Sequence, residues 1–195
     1  MGEENRGQAY TLEAVIAALL IISSLVFALQ VTAVTPLSAS TSNQHIENQQ
    51  RASADGVLAA AQESGALKDA ILYWNDSESR FHNTSTFDYY TNVYPQTEFG
   101  NITDRAFGGR GLAVNVELYT EGQNSAQRLI YRGEPSDNAV TASRQVTLYD
   151  DDTLTAPGHE GTNVSAADSY SKAVPERDGS NVYNVVRVEV TVWRM

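Results

Sequence analysis

The chain has 195 residues, no cysteine, and 24 acidic against 13 basic residues, which gives a formal net charge of -11. The lack of cysteine excludes disulfides, thiolate metal sites and thiol nucleophiles, and the acidity argues against nucleic-acid binding, which needs a basic face. Lys68 and Lys172 are the only lysines. Carboxylate-rich, lysine-poor surfaces are typical of proteins from salt-loving organisms, where ionic strength screens the self-repulsion. The alternative is an acidic secreted domain without salt dependence.

The N-terminal region contains an apolar stretch from Tyr10 to Val34 whose single charge is Glu13. A helix of about 20 apolar residues crosses the hydrocarbon core of a bilayer. A carboxylate near the membrane face is costly unless something pairs with it. The stretch is therefore a cleaved secretory signal, an ordinary single-pass anchor or an assembly element.

The first two interpretations leave features of this stretch unexplained. A secretory signal has a basic n-region and an apolar run of about 7 to 15 residues. Here residues 1–7 carry no net positive side-chain charge and the apolar run is longer. An ordinary anchor fits the length but gives Glu13 no purpose.

The third interpretation rests on a short polar leader that runs directly into the apolar helix. The run Arg6-Gly7-Gln8-Ala9-Tyr10-Thr11-Leu12-Glu13 resembles the signal of type IV pilins and their archaeal pilin-like relatives. The resemblance implies that a prepilin-type peptidase cuts between Gly7 and Gln8, with Arg6 as the preceding basic residue, so that the helix stays on the mature protein. Together with the acidic composition, it indicates a haloarchaeal pilin-like surface protein.

The same resemblance implies an assembly role for Glu13. Residues 10–13 look like the Phe-Thr-Leu-Ile-Glu run of mature pilins, in which the glutamate pairs with a free N-terminal amine during assembly. Glu13 would be sixth in the mature chain, where the family usually has glutamate fifth. The implied partners are the membrane, the peptidase, and copies of this chain or other pilin-like subunits. Adhesion by a surface filament follows from the family alone.

The charge distribution predicts the orientation and the domains. Arg6 lies before the apolar stretch, and the next basic residue is Arg51. This bias places the N-terminus in the cytoplasm and the C-terminal head outside the cell membrane. We predict a leader at 1–7, a transmembrane helix at 8–36, an extracellular helical region at 37–74 and a loop-rich antiparallel β head at 75–195.

The region between the membrane and the head is predicted to be helical. Pro36 marks a kink or a stop, so that one unbroken helix and a two-piece helix both remain open. Apolar residues at helical spacing then predict one helix that ends near Gly65 and a second, short helix. The residues concerned are Ala54, Val57, Leu58 and Ala61 in the first helix, and Leu67, Ala70, Ile71 and Trp74 in the second.

The residues from 75 to 111 are rich in turn-forming side chains and are predicted to be loop with short strands. They also contain several aromatic residues, which favour an ordered excursion whose rings pack in the core and at its rim. A ligand-binding aromatic surface is the alternative. These aromatic residues include Phe81, Phe87, Tyr89, Tyr90, Tyr94 and Phe99.

The second half alternates apolar and polar residues, which predicts strands. One apolar face holds Leu112, Val114, Val116 and Leu118, with Asn115, Glu117 and Tyr119 opposite. The last segment places Val182, Val186, Val188, Val190 and Val192 on one face, with Arg187, Glu189, Thr191 and Trp193 on the other. Residues 127–132 are expected to pair with the strand at Leu112 across a turn. The predicted fold is α+β, with the N-terminal helix packed on a mainly antiparallel sheet.

The sequence offers few signals for catalysis or for a cofactor. His45, His82 and His159 are isolated among polar residues, which favours solvated side chains over metal ligands, and Asp150-Asp151-Asp152 lacks the glycine and glutamate of a calcium loop. We predict no cofactor and a non-enzymatic protein. One rival is a permanently anchored ectodomain acting as an envelope or binding module, and another is a tethered hydrolase.

Four Asn-x-Ser/Thr sequons fall in segments predicted to be outside the membrane. They begin at Asn75, Asn83, Asn101 and Asn163. Glycosylation of such sites requires a surface position in a secreted or external domain. These asparagines are therefore predicted N-glycosylation acceptors.

Overall fold

The computed structural model describes the backbone of residues 4–177 and 180–195, and all their side chains except those of residues 4–8 and 31–43. The chain divides into two compact units, residues 1–46 and residues 47–195. The helices are α1 (Glu4–Glu63), α2 (Ala66–Ile71) and α3 (Glu98–Phe107). The strands are β1 (Trp74–Asn75), β2 (Arg80–Phe81), β3 (Leu112–Tyr119), β4 (Gln127–Ile130), β5 (Val140–Tyr149) and β6 (Val182–Arg194).

The sequence left open whether the helix stops at Pro36 or continues through it. In the structure the backbone of α1 is helical through Pro36. The side chains of Pro36 and of the polar residues after it lie outside the described part of the chain. The helix ends where the sequence predicts. Gly65 takes a left-handed φ of +79°, and its N–H bonds to the carbonyl of Gln62 at 3.2 Å. Glycine adopts this conformation without the strain a β-carbon would cause.

The head contains a four-stranded antiparallel sheet in the order β4-β3-β6-β5. The predicted pairing of β4 with β3 is confirmed. Strand β6 lies in the centre, with Val190 opposite Val116 on one side and opposite Ala142 on the other. The fold is therefore α+β with an antiparallel sheet, as predicted.

One face of this sheet forms the core together with the C-terminal part of α1. Val186, Val188, Val190 and Val192 are fully buried, and Leu58 of α1 belongs to the same apolar cluster. The prediction that the helix covers the valine face is confirmed. Val182 is only half-buried, because it lies beyond a register shift between β5 and β6.

The second predicted helix is shorter than its apolar spacing indicates. Helix α2 ends at Ile71, and Trp74 lies in β1, where it pairs with Phe81. The prediction that Trp74 belongs to the helix is therefore wrong. Its side chain is nevertheless buried and meets the Phe81 ring edge to face at 5.2 Å. Packing of the indole against this hairpin satisfies its apolar surface without another helical turn.

Helix α3 lies within the segment that the sequence predicted to be loop. Thr97 caps its start by accepting a hydrogen bond from the N–H of Gly100 at 3.3 Å. Phe99, Thr103 and Phe107 follow at a spacing of four residues and are buried. The sequence did not predict this helix, because the Gly, Asn, Thr and Asp in it have low helix propensity.

The other face of the sheet, which we call the outer face, is crossed by the connection from β4 to β5. These strands lie at opposite edges, so the chain must pass over β3 and β6 between them. Asn115 on β3 holds the crossing segment. Its Nδ2 donates to the carbonyl of Gly133 at 2.9 Å, and its Oδ1 accepts from the N–H of Arg132 at 2.8 Å. The outer face is therefore partly covered, and Trp193 is buried on it although the alternation predicted a polar face.

Candidate membrane segment and surface sites

The N-terminal unit contains a helical segment, Ala9–Gln30, that is long and apolar enough to span a membrane. It has 22 residues with a mean hydropathy of 2.5, and none of the segment is buried by the rest of the protein. At 1.5 Å per residue it extends about 33 Å, slightly more than the roughly 30 Å hydrocarbon core. In water such a surface would be strongly unfavourable, so it needs lipid or other protein around it.

Glu13 lies in a shallow groove on this helix, between small and large apolar side chains. Ala9 and Ala17 stand one turn before and one turn after it, and Leu12, Ile16 and Leu20 complete the lining, around a volume of about 420 Å³. The two alanines leave room for another helix to approach the carboxylate closely. Farther along, Ser24 donates its hydroxyl to the carbonyl of Ile21 at 2.9 Å, so this polar group is satisfied within the helix.

The predicted processing residues fall where the structure describes only the backbone. Arg6, Gly7 and Gln8 belong to α1, and their side chains lie outside the described residues. The predicted cleavage between Gly7 and Gln8 therefore stays a prediction.

The four predicted glycosylation sites differ in accessibility. Asn83, Asn101 and Asn163 are exposed. Asn75 is half-buried, and its Oδ1 accepts a hydrogen bond from the N–H of Glu78 at 3.1 Å. Three of the four sequons therefore present their asparagine to solvent, whereas the side chain of Asn75 is engaged in a turn.

The histidines do not share one environment. His45 is exposed, whereas His82 is half-buried with its ring edge to face against Tyr73 at 5.2 Å. The prediction of a solvated side chain is therefore wrong for His82, because the hairpin of β1 and β2 brings this ring against an aromatic neighbour. Among the described residues, no group of three or more histidine, aspartate or glutamate side chains could hold a metal ion.

Asp152, from the acidic run 150–152, is used inside the fold. One carboxylate oxygen pairs with Lys68 Nζ at 2.7 Å, and the other accepts the N–H of Tyr149 at 2.7 Å. Its role is to tie α2 to the end of β5.

Ser169, which is buried, and Asp76, which is half-buried, share several hydrogen bonds. Ser169 Oγ donates to Asp76 and accepts from Trp74 Nε1 at 3.0 Å. The serine hydroxyl is therefore engaged on both sides and serves structure. Burial opposes ionisation of Asp76, but the N–H and hydroxyl of Ser169 and the N–H of Asp168 outweigh it and hold the pKa of Asp76 below its ordinary value.

A polar concavity of the head lies on the outer face, beside the β3–β4 hairpin, and we call it the outer-face groove. Its volume is about 460 Å³, and its main lining side chains are Asp88, Tyr89, Glu117, Tyr119, Gln127 and Arg128. Arg128 lies over the Tyr131 ring at 3.7 Å and over the Tyr89 ring at 5.6 Å. Phe87 stacks on Tyr89 at 5.0 Å. These contacts fix the guanidinium and the rings in place.

Carboxylates and a phenol complete the groove. Tyr119 donates its hydroxyl to Glu117 Oε2 at 3.2 Å. Burial and the carboxylates of Glu117 and Glu189 raise the pKa of Tyr119 to about 12, so the phenol stays protonated. Gln127 Nε2 donates to Asp88 Oδ2 at 3.0 Å.

The predicted aromatic excursion is ordered. Phe81, Tyr90 and Phe99 are buried in the core, whereas Phe87 is half exposed and Tyr89 stands at the groove. Core packing is therefore confirmed for the first three. The groove itself was not predictable from the sequence, because Asp88 and Tyr89 reach β4 through the pairing of Tyr90 with Ile130.

A family model described as a family of unknown function (DUF7288) matches residues 6–192. No curated protein and no solved structure matches the chain.

Proposed function

We propose, for a chain that belongs to the family of unknown function DUF7288, a role as a membrane-anchored surface protein that resembles a type IV pilin subunit. In this proposal the apolar segment holds the protein in the cell membrane with its N-terminus in the cytoplasm and its head outside. After processing, the same segment packs against copies of itself in a surface filament. The role is non-enzymatic, and adhesion is the function that the resemblance implies.

The observation that carries the proposal is the exposed apolar helix with one carboxylate. None of Ala9–Gln30 is buried by the rest of the protein, and Glu13 is its single charge. Lipid alone satisfies the apolar side chains but not the carboxylate. A neighbouring subunit that brings a positive N-terminal amine would satisfy both, and Ala9 and Ala17 on either side of Glu13 permit the close approach.

The second candidate is a permanently anchored ectodomain that never polymerises. It is favoured by the length of the apolar segment, which suffices to anchor the chain without any processing. In this alternative the leader stays on the protein and Glu13 sits at the membrane interface. The head would then act as an envelope or binding module.

Replacing Glu13 by Gln distinguishes the two candidates. The variant removes the charge but keeps the shape of the side chain. A neutral amide costs less to insert into the membrane than a carboxylate, so membrane insertion should be retained. In the filament proposal, cells that carry Glu13→Gln yield about tenfold fewer sheared surface filaments or less, because a charge-assisted contact between subunits is removed.

The matched control is Glu63→Gln, an exposed carboxylate on the same helix outside the apolar segment. Its filament yield should equal that of the unmodified protein. Equal yields from Glu13→Gln and Glu63→Gln, with both proteins in the membrane fraction, would remove the assembly role of Glu13.

A further inference from the structure

The four sequons differ in the hydroxyl residue that follows each asparagine by two positions. A sequon is defined by both side chains, so an oligosaccharide transferase must contact the hydroxyl as well as the asparagine amide. A hydroxyl that the folded head buries cannot be contacted without local unfolding. The accessibility of the serine or threonine therefore discriminates between asparagines that are equally exposed.

Asn101 is exposed, but the rest of its sequon is closed. Thr103 is fully buried in α3, and its hydroxyl donates to the carbonyl of Phe99 at 2.7 Å. The Nδ2 of Asn101 donates to Glu98 Oε2 at 3.3 Å on the same helix. Modification of Asn101 would require α3 to unwind and take Thr103 out of the core.

The sequons of Asn75 and Asn163 are held by local structure. Asn75 is half-buried in β1, and its Oδ1 accepts a hydrogen bond from the N–H of Glu78 at 3.1 Å. Asn163 precedes a three-residue 3-10 helix that contains Ser165. The hydroxyl of Ser165 donates to the carbonyl of Asp150 at 2.8 Å. In both sequons a group that the transferase needs is already engaged within the head.

The sequon of Asn83 is open at both of its recognition residues. Asn83 is exposed, and so is Ser85, and neither lies in a helix or strand. The backbone carbonyl of Ser85, and not its hydroxyl, accepts a hydrogen bond from Arg80. The amide of Asn83 donates a long hydrogen bond, 3.3 Å, to Gln96 Oε1. Only this weak contact has to break before the amide can enter an active site.

We propose that Asn83 is the glycan acceptor of the folded head and that the other three sequons stay unmodified. The donor is an oligosaccharide linked to a lipid phosphate. Asn83 Nδ2 forms a bond to the anomeric carbon of the first sugar and gives up one proton. The bond between that carbon and the phosphate oxygen breaks, and the phosphate leaves with the electron pair. The inference rests on the external position of the head in the proposed function, because glycosylation of sequons requires an external domain.

The test measures the occupancy of each sequon by mass spectrometry of glycopeptides from the full chain, recovered from native membranes. Occupancy of Asn83 should exceed that of any other sequon at least about tenfold, because opening a buried or hydrogen-bonded sequon costs free energy. Ser85→Ala should remove the glycan, whereas Ser85→Thr keeps a hydroxyl and should retain it. The matched control is Ser165→Ala, at an exposed serine of another sequon, which should leave the glycan in place.

Comparable occupancy of Asn83 and any other sequon would overturn the inference, because the fold would then not select the site. An empty Asn83 would overturn it as well. Protease added to intact cells separates this failure from failure of the proposed function. A head that is digested but carries no glycan at Asn83 refutes the acceptor site alone, whereas a protected head refutes the external position too.

Discussion

Replacement of Asn115 by Ala tests how the outer face is held together. Asn115 is buried, with only 3 % of its surface exposed. Its side chain makes one hydrogen bond to Gly133 and one to Arg132 in the crossing segment. Both bonds join residues far apart in the chain. Loss of these bonds leaves the carbonyl of Gly133 and the N–H of Arg132 without a partner.

The expected cost follows from those two unpaired groups. Each unsatisfied buried group costs about 1–3 kcal/mol, and both are only partly buried, so we expect a loss of about 3 kcal/mol in the free energy of unfolding. For a domain of this size that loss lowers the melting temperature by about 6–12 °C. Circular dichroism of the full chain in detergent, heated and titrated with urea, measures both quantities.

Asn138→Ala is the matched control, because Asn138 is exposed in the same crossing segment. It should change the free energy of unfolding by less than about 0.5 kcal/mol. If Asn115→Ala is as mild as this control, the crossing segment does not depend on Asn115 and the described hydrogen bonds do not stabilise the outer face.

Three further predictions concern the core, the half-buried carboxylate of Asp76 and the surface charge. Leu58→Ala should lower the free energy of unfolding, measured with urea, by about 2–5 kcal/mol, since Leu58 is fully buried against the valine face. Ser53→Ala, at an exposed position of the same helix, should be nearly neutral. If both variants have similarly small effects, the packing is contradicted. The lowered pKa of Asp76 contributes stability above its ordinary pKa of about 3.9, and this stability is lost as pH falls through the folded value. The gap in melting temperature between Asp76→Asn and the unmodified chain should therefore narrow below about pH 4, and a constant gap would contradict the assignment. With a net charge of -11, the melting temperature should rise between about 0.1 M and 2 M KCl, and a flat dependence would indicate an ordinary acidic domain.

The strands were predictable because their period of two is sustained over long runs. In β6 four valines alternate with polar residues, and the structure buries each of them. The end of α1 was predictable for a related reason, since Gly65 follows a helical apolar spacing and takes the left-handed conformation. Such local patterns survive without knowledge of the tertiary fold.

Features that depend on contacts between distant segments could not be predicted in this way. Helix α3 contains residues of low helix propensity, and it is held by burial of Phe99 and Phe107. The alternation of β6 places Trp193 on the outer face, as predicted. Trp193 is nevertheless buried, because part of the outer face is covered. The outer-face groove needs the pairing of Tyr90 with Ile130, which no local pattern indicates. Glu13, by contrast, is evident in the sequence alone as the single charge of the apolar stretch.

The measurement that tests the central claim most directly is the mass of the N-terminal peptide of the protein recovered from native membranes. Assembly through Glu13 requires that the chain be cut between Gly7 and Gln8, so that a new amine becomes available near the carboxylate. We predict a mature chain that begins at Gln8 and lacks residues 1–7. An intact leader on protein purified from the surface of the cell would contradict pilin-type processing and favour the permanently anchored ectodomain.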